Sequence, residues 1–331
     1  MLSKCKRRQK KPAWKRPPIY RQKMTNFTTI CQNFEEQYNI IAKSSGAVYF
    51  IIFVVNIVMS VTAILGNSFI IGALRKCSSL HSPSKALISS LAFSDLAVGC
   101  IAQPLFIIHR SAALTRSYRL FCISGMMSNF VGSTVVSASF VTSTAIAVDR
   151  YLALRLRLRY REVVTLKRVI IVLFASWSAS LIWSALWFWD QNVQNYSRAV
   201  LFCLCFAITT SSYVIIYKKI KRYRCRVAER FGNAVVGNFS GRRTFNVIRF
   251  RRSVSSMCHI YCCLLVCYLP YNCLMAVIRN AVQLTSLTVA LHVAFATLVL
   301  SNSALNPFVF CWCIPEIRLI VKSTICRFQH W

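Results

Sequence analysis

The chain has 331 residues, 41 Lys+Arg against 8 Asp+Glu and a net charge of +33, yet 56% of its residues are hydrophobic. An aromatic content of 13% excludes a disordered basic tail, 15% charged residues is too few to clothe a soluble domain of this length, and 9 glycines exclude a collagen-like fibre. What remains is an integral membrane protein, with apolar segments facing lipid and basic residues in the connections.

In chain order, residues 1–23 are basic and contain neither an acid nor an apolar stretch, so they do not read as a cleavable signal peptide. Met24 follows, and Asn26-Phe27-Thr28 is a glycosylation acceptor. The expectation is a native start at Met24, a glycan on Asn26, and residues 1–43 as an outward-facing tail. Beyond it, long segments carry no charge: 44–74, 120–148, 169–189, 199–217, 253–278 and 280–315, with 86–109 interrupted only by Asp95. About 20 helical residues cross roughly 30 Å of hydrocarbon, and these runs are too long for barrel strands. The expected fold is therefore all-α, a seven-transmembrane helix bundle within residues 44–314. Its spans are placed near 48–74, 85–109, 120–149, 169–189, 199–218, 253–278 and 284–313. Residues 315–331, opening Pro315-Glu316-Ile317-Arg318, read as a short amphipathic eighth helix and tail.

Orientation follows from the connections. Those after spans one, three, five and seven hold 25 Lys and Arg, and those after spans two, four and six hold 5. The positive-inside rule puts the amino terminus outside and the carboxyl terminus in the cytoplasm of a multi-pass plasma-membrane protein. The basic segment between spans five and six, about 218–252, suits anionic membrane lipid and a cytoplasmic protein partner. Its charge is scattered among loops rather than gathered on one face, which argues against nucleic acid. Most of the 16 cysteines lie inside spans and act as small apolar groups; Cys31, Cys122 and Cys203 can face an oxidising exterior, and Cys326 is a candidate for palmitoylation. Asn195-Tyr196-Ser197 is a second glycosylation acceptor in a short outer loop expected at about 190–198.

Polar groups inside spans are expensive and mark function. Here they fall one motif per span: Gly66-Asn67, Leu91-Ala92-Phe93-Ser94-Asp95, Asp149-Arg150-Tyr151, Trp177, Tyr268-Leu269-Pro270, and Asn302 with Asn306-Pro307-Phe308-Val309-Phe310. In that order they resemble the rhodopsin-like (class A) G-protein-coupled receptors over about residues 44–328. The resemblance implies a receptor that binds an extracellular ligand and activates a heterotrimeric G protein. It implies no resident cofactor beyond a sodium ion at Asp95, in a polar cluster with Asn67, Asn302 and Asn306. Asp149, Arg150 and Tyr151 would form the coupling switch, with Arg150 held by Asp149 until activation. Tyr213, Tyr268, Pro270, Asn306, Pro307 and Phe310 occupy the remaining switch positions. Pro270 and Pro307 each remove a backbone hydrogen bond and kink their helices.

The chain also departs from the family pattern. Tyr268 stands where Trp is usual, Phe310 where Tyr is usual, span five has no proline, and no acid between Ser240 and Ser256 faces Arg150. The short cysteine-free second outer loop and proline-free span five lean toward the melanocortin and adenosine receptor branch. Cys122 has Cys31 or Cys203 as partner, or none. A seven-span transporter or channel is the alternative, but it should show internal repeats and paired intramembrane charges. No nucleophile–base–acid set points to an enzyme.

Ligand class is constrained by what is missing. Gly132 stands at the position of the amine-binding Asp, and Leu300 at that of the retinal-linking Lys. The neighbouring side chains Ser128, Ser133 and Ser137 are small, and a neutral, lipid-like or peptide ligand fits best. Without a counter-ion for an ammonium group, the protein should give no response to dopamine, serotonin, histamine or octopamine at micromolar concentrations in a second-messenger assay. A saturable sub-micromolar response to any of them overturns this.

Overall fold

A computed structural model describes residues 27–44, 46–78, 80–232, 261–278 and 284–329. The helices in order are α1 (Phe27–Lys43), α2 (Gly46–Lys76), α3 (Ser82–Ala97), α4 (Gln103–Leu114), α5 (Tyr118–Leu156), α6 (Tyr160–Val163), α7 (Leu166–Trp189), α8 (Gln191–Gly232), α9 (Tyr261–Ile278), α10 (Ser286–Cys313) and α11 (Pro315–Gln329). Seven helical stretches are long and apolar enough to cross a membrane: Gly46–Lys76, Ser82–Leu114, Tyr118–Val163, Leu166–Trp189, Gln191–Arg222, Tyr261–Ile278 and Ser286–Trp312. Residues 253–260 of the expected sixth span lie outside the described residues.

Span two joins α3 to α4 through a π turn at Val98–Ala102, where the Gln103 N–H reaches back five residues to the Val98 carbonyl. Pro104 cannot donate to Gly99 in that register. Ser60 of α2 supplies the missing donor, its Oγ lying 2.7 Å from the Gly99 carbonyl. The same logic operates in α10. Pro307 leaves the Ser303 carbonyl without its helical donor, and Asn67 Nδ2 of α2 fills the vacancy at 3.1 Å. Gly66 lets the two helices come this close, because a Cβ there would sit 2.7 Å from Pro307 Cγ. Spans two, three and seven form the buried centre of the bundle, while one, four, five and six present more of their surface to lipid. Trp177 ties span four to span two, donating from Nε1 to Ser90 Oγ at 3.2 Å.

Two elements differ from the sequence reading. The outer loop expected at about 190–198 is helix. Asp190 alone separates α7 from α8, and its Oδ1 accepts from the Asn192 and Val193 N–H groups at 2.7 and 3.3 Å. This carboxylate cap starts α8 early, within what a charge-free window excluded because of Arg198. Within the expected tail, residues 27–43 are helical. α1 lies across one end of the bundle, its Phe34 packing edge-on against Phe121 and tilted against Trp187, with centroids 6.1 and 5.9 Å away.

A disulfide joins Cys31 of α1 to Cys122 of α5, Cα to Cα 5.4 Å, across 91 residues of chain. Tyr118 Oη donates to the Cys31 carbonyl at 2.7 Å, and the Leu284 N–H reaches Glu36 Oε1 at 3.0 Å. At the other end, Glu316 and the fully buried Ile317 seat α11 against α2, with Cys77 Sγ 3.5 Å from Glu316 Oε2. Cys326, the palmitoylation candidate, is exposed on α11. Closing the 91-residue loop between Cys31 and Cys122 is worth about 4.6 kcal/mol in the chain-entropy model. Cys31→Ser and Cys122→Ser should therefore each lower the melting temperature of the purified protein by several degrees, and the double variant no further. Additive losses would show that the two sulfurs act separately.

Candidate functional site

Three connected regions carry the polar side chains singled out from the sequence. At the centre, Asp95 is fully buried on α3. Its Oδ1 accepts from Ser139 Oγ of α5 at 3.2 Å, and its Oδ2 from Asn306 Nδ2 of α10 at 2.6 Å. One carboxylate thus bridges spans two, three and seven. Asn67 also donates to the Ala63 carbonyl at 2.9 Å. Asn302 is buried with neither amide atom bonded to protein, and the Oδ1 atoms of Asn67 and Asn306 are equally unpartnered. Amide oxygens, a serine hydroxyl and a carboxylate are all hard-oxygen donors.

At the end of α5, Arg150 pairs with Asp149 at 2.8 Å. Asp149 is held further by Ser84 Oγ at 2.9 Å and Tyr160 Oη at 2.6 Å. Ser84 lies at the start of α3 and Tyr160 at the start of α6, so three elements converge on one carboxylate. The Arg150 Nε is buried without a partner, and Tyr151 points elsewhere, accepting from Arg155 at 2.7 Å. Residues 240–256, where an acid facing Arg150 would lie, fall outside the described residues. Phe310 is fully buried in the central apolar cluster, a setting that favours its lack of a hydroxyl.

At the α1 end, the helices enclose a cavity of about 300 Å³. Phe34 and Gln37 of α1 help to form its wall, and Tyr268 lies against it with its ring 5.1 Å from that of Phe140. Pro270 follows two residues later and is half-buried. Gly132, Ser128, Ser133 and Ser137 line the span-three wall, and Leu300 the span-seven wall. Asn195 also faces this cavity, from the second turn of α8. Asn26 lies outside the described residues. Tyr213 is buried further along α8, its ring 5.6 Å from that of Tyr261.

The family model described as the seven-transmembrane receptor (rhodopsin family) matches residues 66–310. The chain belongs to the rhodopsin family of seven-transmembrane receptors. It is 24% identical over 301 residues to the adenosine receptor A3 of Ovis aries, covering 82% of this chain and 89% of that receptor. It is 24% identical over 301 residues to the tachykinin-like peptides receptor 86C of Drosophila melanogaster, covering 81% and 57%. A crystal structure of squid rhodopsin superposes with a TM-score of 0.71 at 16% identity, covering 86% of this chain and 87% of that one. The receptor is thus a multi-pass plasma-membrane protein that couples an extracellular ligand to a G protein. The adenosine receptor is consistent with the leaning drawn from its short loop and span five.

Sequence reasoning missed Ser139, Ser84 and Tyr160, because nothing in a run of serines marks which one meets an acid. It also missed Arg110 and Arg198 as cavity residues, having counted them as anchors in the outer connections. Asp149→Asn removes the charge that retains Arg150. The pair is largely buried, its side chains 16% and 3% exposed, so basal nucleotide exchange should rise at least severalfold. Unchanged basal exchange by the variant would show that the pair does not restrain Arg150.

Proposed function

We propose that the α1 end is extracellular, that its cavity receives the activating ligand, and that the Arg150 end engages the G protein in the cytoplasm. The observation carrying this reading is the retained Arg150: a guanidinium held by one carboxylate at a span end, released when the surrounding helices move. The lysine- and arginine-rich connections at that end support the orientation. Pro307 and Pro270 interrupt the helical ladders of spans seven and six, providing bending points between cavity and Arg150. One mid-span acid bonded to neutral donors, rather than charges paired along a route, disfavours a transporter.

The donor set at Asp95 supports a sodium ion as the ligand of the resting receptor. Asp95, Ser139, Asn302 and Asn306 would hold it, and its charge would offset that of the buried carboxylate. Cysteine and histidine play no part in such a site.

Arg150→Ala should abolish ligand-dependent guanine-nucleotide exchange while surface expression stays at the wild-type level. Full exchange by the expressed variant would exclude Arg150 as the coupling residue.

A further inference from the structure

The α1-end cavity holds two guanidiniums and no carboxylate. Arg110 of α4 is 3% exposed and lines the cavity. One terminal nitrogen donates to His292 Nδ1 at 3.4 Å, a long bond that requires this ring nitrogen to be unprotonated. Its Nε and Nη1 have no partner. Its guanidinium also lies 5.3 Å from the Phe106 ring centroid. Arg198 of α8 also lines the cavity, donating to Tyr271 Oη at 3.2 Å and Gln194 Oε1 at 3.4 Å. The Tyr271 and His292 rings, 5.7 Å apart, complete a polar chain from span two through spans seven and six to span five.

Seven of the eight acids of the chain have described side chains; the eighth, Glu229, belongs to the basic segment between spans five and six. Three belong to the α1 end: Glu35 is exposed, Glu36 accepts from Leu284, and Asp190 caps α8. Among the described residues neither Arg110 nor Arg198 makes an ion pair. A guanidinium carries five N–H donors and no acceptor. Two like charges beside one enclosed space, one of them almost fully buried with unpartnered N–H groups, are costly until an anion arrives.

We propose that the cavity takes an organic anion, a carboxylate, sulfate or phosphate carried on a flat apolar body, with its head between Arg110 and Arg198. Trp183, Trp187, Phe106, Phe140, Phe202 and Tyr268 line the space left for the body. A planar guanidinium suits a bidentate oxyanion better than any other ligand chemistry. Of the neutral, lipid-like or peptide ligands expected from the sequence, one without an anionic group would leave both charges uncompensated. This inference rests on the cavity being the ligand site of the proposed receptor, and it names the chemistry of that ligand.

The test is thermal melting of the purified full-length receptor in detergent. The probes are aromatic carboxylates, aryl sulfates and aryl phosphates, each paired with the neutral amide or ester of the same skeleton. Acids should raise the melting temperature in a saturable manner, and their neutral partners should not. Arg110→Gln should weaken the half-saturating concentration of an active acid roughly tenfold or more, with Arg110→Lys falling between. Arg198→Gln gives a second reading should Arg110→Gln fail to fold. Equal stabilisation by neutral partners, no saturable shift from any acid, or unchanged affinity in a folded variant overturns the proposal. The assay needs no G protein. Acid binding without nucleotide exchange would sink only the reading of this cavity as the site of the activating ligand, whereas exchange driven by neutral ligands would sink this one.

Discussion

A carboxylate in the middle of a hydrocarbon slab has to be met by donors from its neighbours, and Asp95 is met from two other spans. Ser139 and Asn306 approach its two oxygens from opposite sides. Spans two, three and seven are thereby fixed in one rotational setting, and the rest of the bundle is built around them. Nearby, each proline leaves a carbonyl that the span-one helix satisfies, through Ser60 at the π turn and Asn67 beside Pro307. Span one is apolar and lipid-facing over most of its surface, so a few buried polar contacts hold its angular position. These include Asn56, which donates to Thr297 of span seven at 2.9 Å. At Pro104 and Pro307 the freed carbonyls thus keep a donor.

The two ends of the bundle use charge differently. At the Arg150 end a guanidinium is neutralised by an adjacent acid, and that acid is itself saturated by Ser84 and Tyr160. Such a pair is stable in place yet releasable, since its arginine retains access to solvent. At the α1 end, Arg110 and Arg198 have only neutral partners. The disulfide and the aromatic packing of α1 lie over that end, where Arg110 is buried and Arg198 partly so. Gly125 makes this packing possible: a Cβ there would meet His109 Cε1 at 2.7 Å and Phe34 Cζ at 3.3 Å.

Between the ends runs a contiguous set of rings. Tyr268 touches Phe140, Phe140 stacks on Phe202 at 5.6 Å, and Phe202 on Phe206 at 6.0 Å. Phe206 then meets Tyr261, which hydrogen-bonds Thr210 and packs against Tyr213. This is a path of contact. Tyr268 in place of the usual Trp gives the ring beside the cavity a smaller, hydroxyl-bearing contact with Phe140.

The sequence alone determined the seven spans, the family and the central polar motifs. Crossing a membrane demands uninterrupted apolar helices, and a residue that violates the rule, such as Asp95 or Arg150, stands out in one dimension. Only the tertiary structure decided the pairing of Cys31 with Cys122, the docking of α1, the helical character of residues 191–198, and which serine meets Asp95. Each depends on distances between segments far apart in the chain. The arginines show the reason best. Counting charge-free windows treats Arg110 and Arg198 as the ends of spans, where lysine and arginine normally anchor in headgroups. Which way a side chain at a helix end points is set by the rotation of that helix in the bundle and by the elements covering it. Span two, bent at its π turn, and α8, started early by Asp190, carry both guanidiniums into the cavity walls.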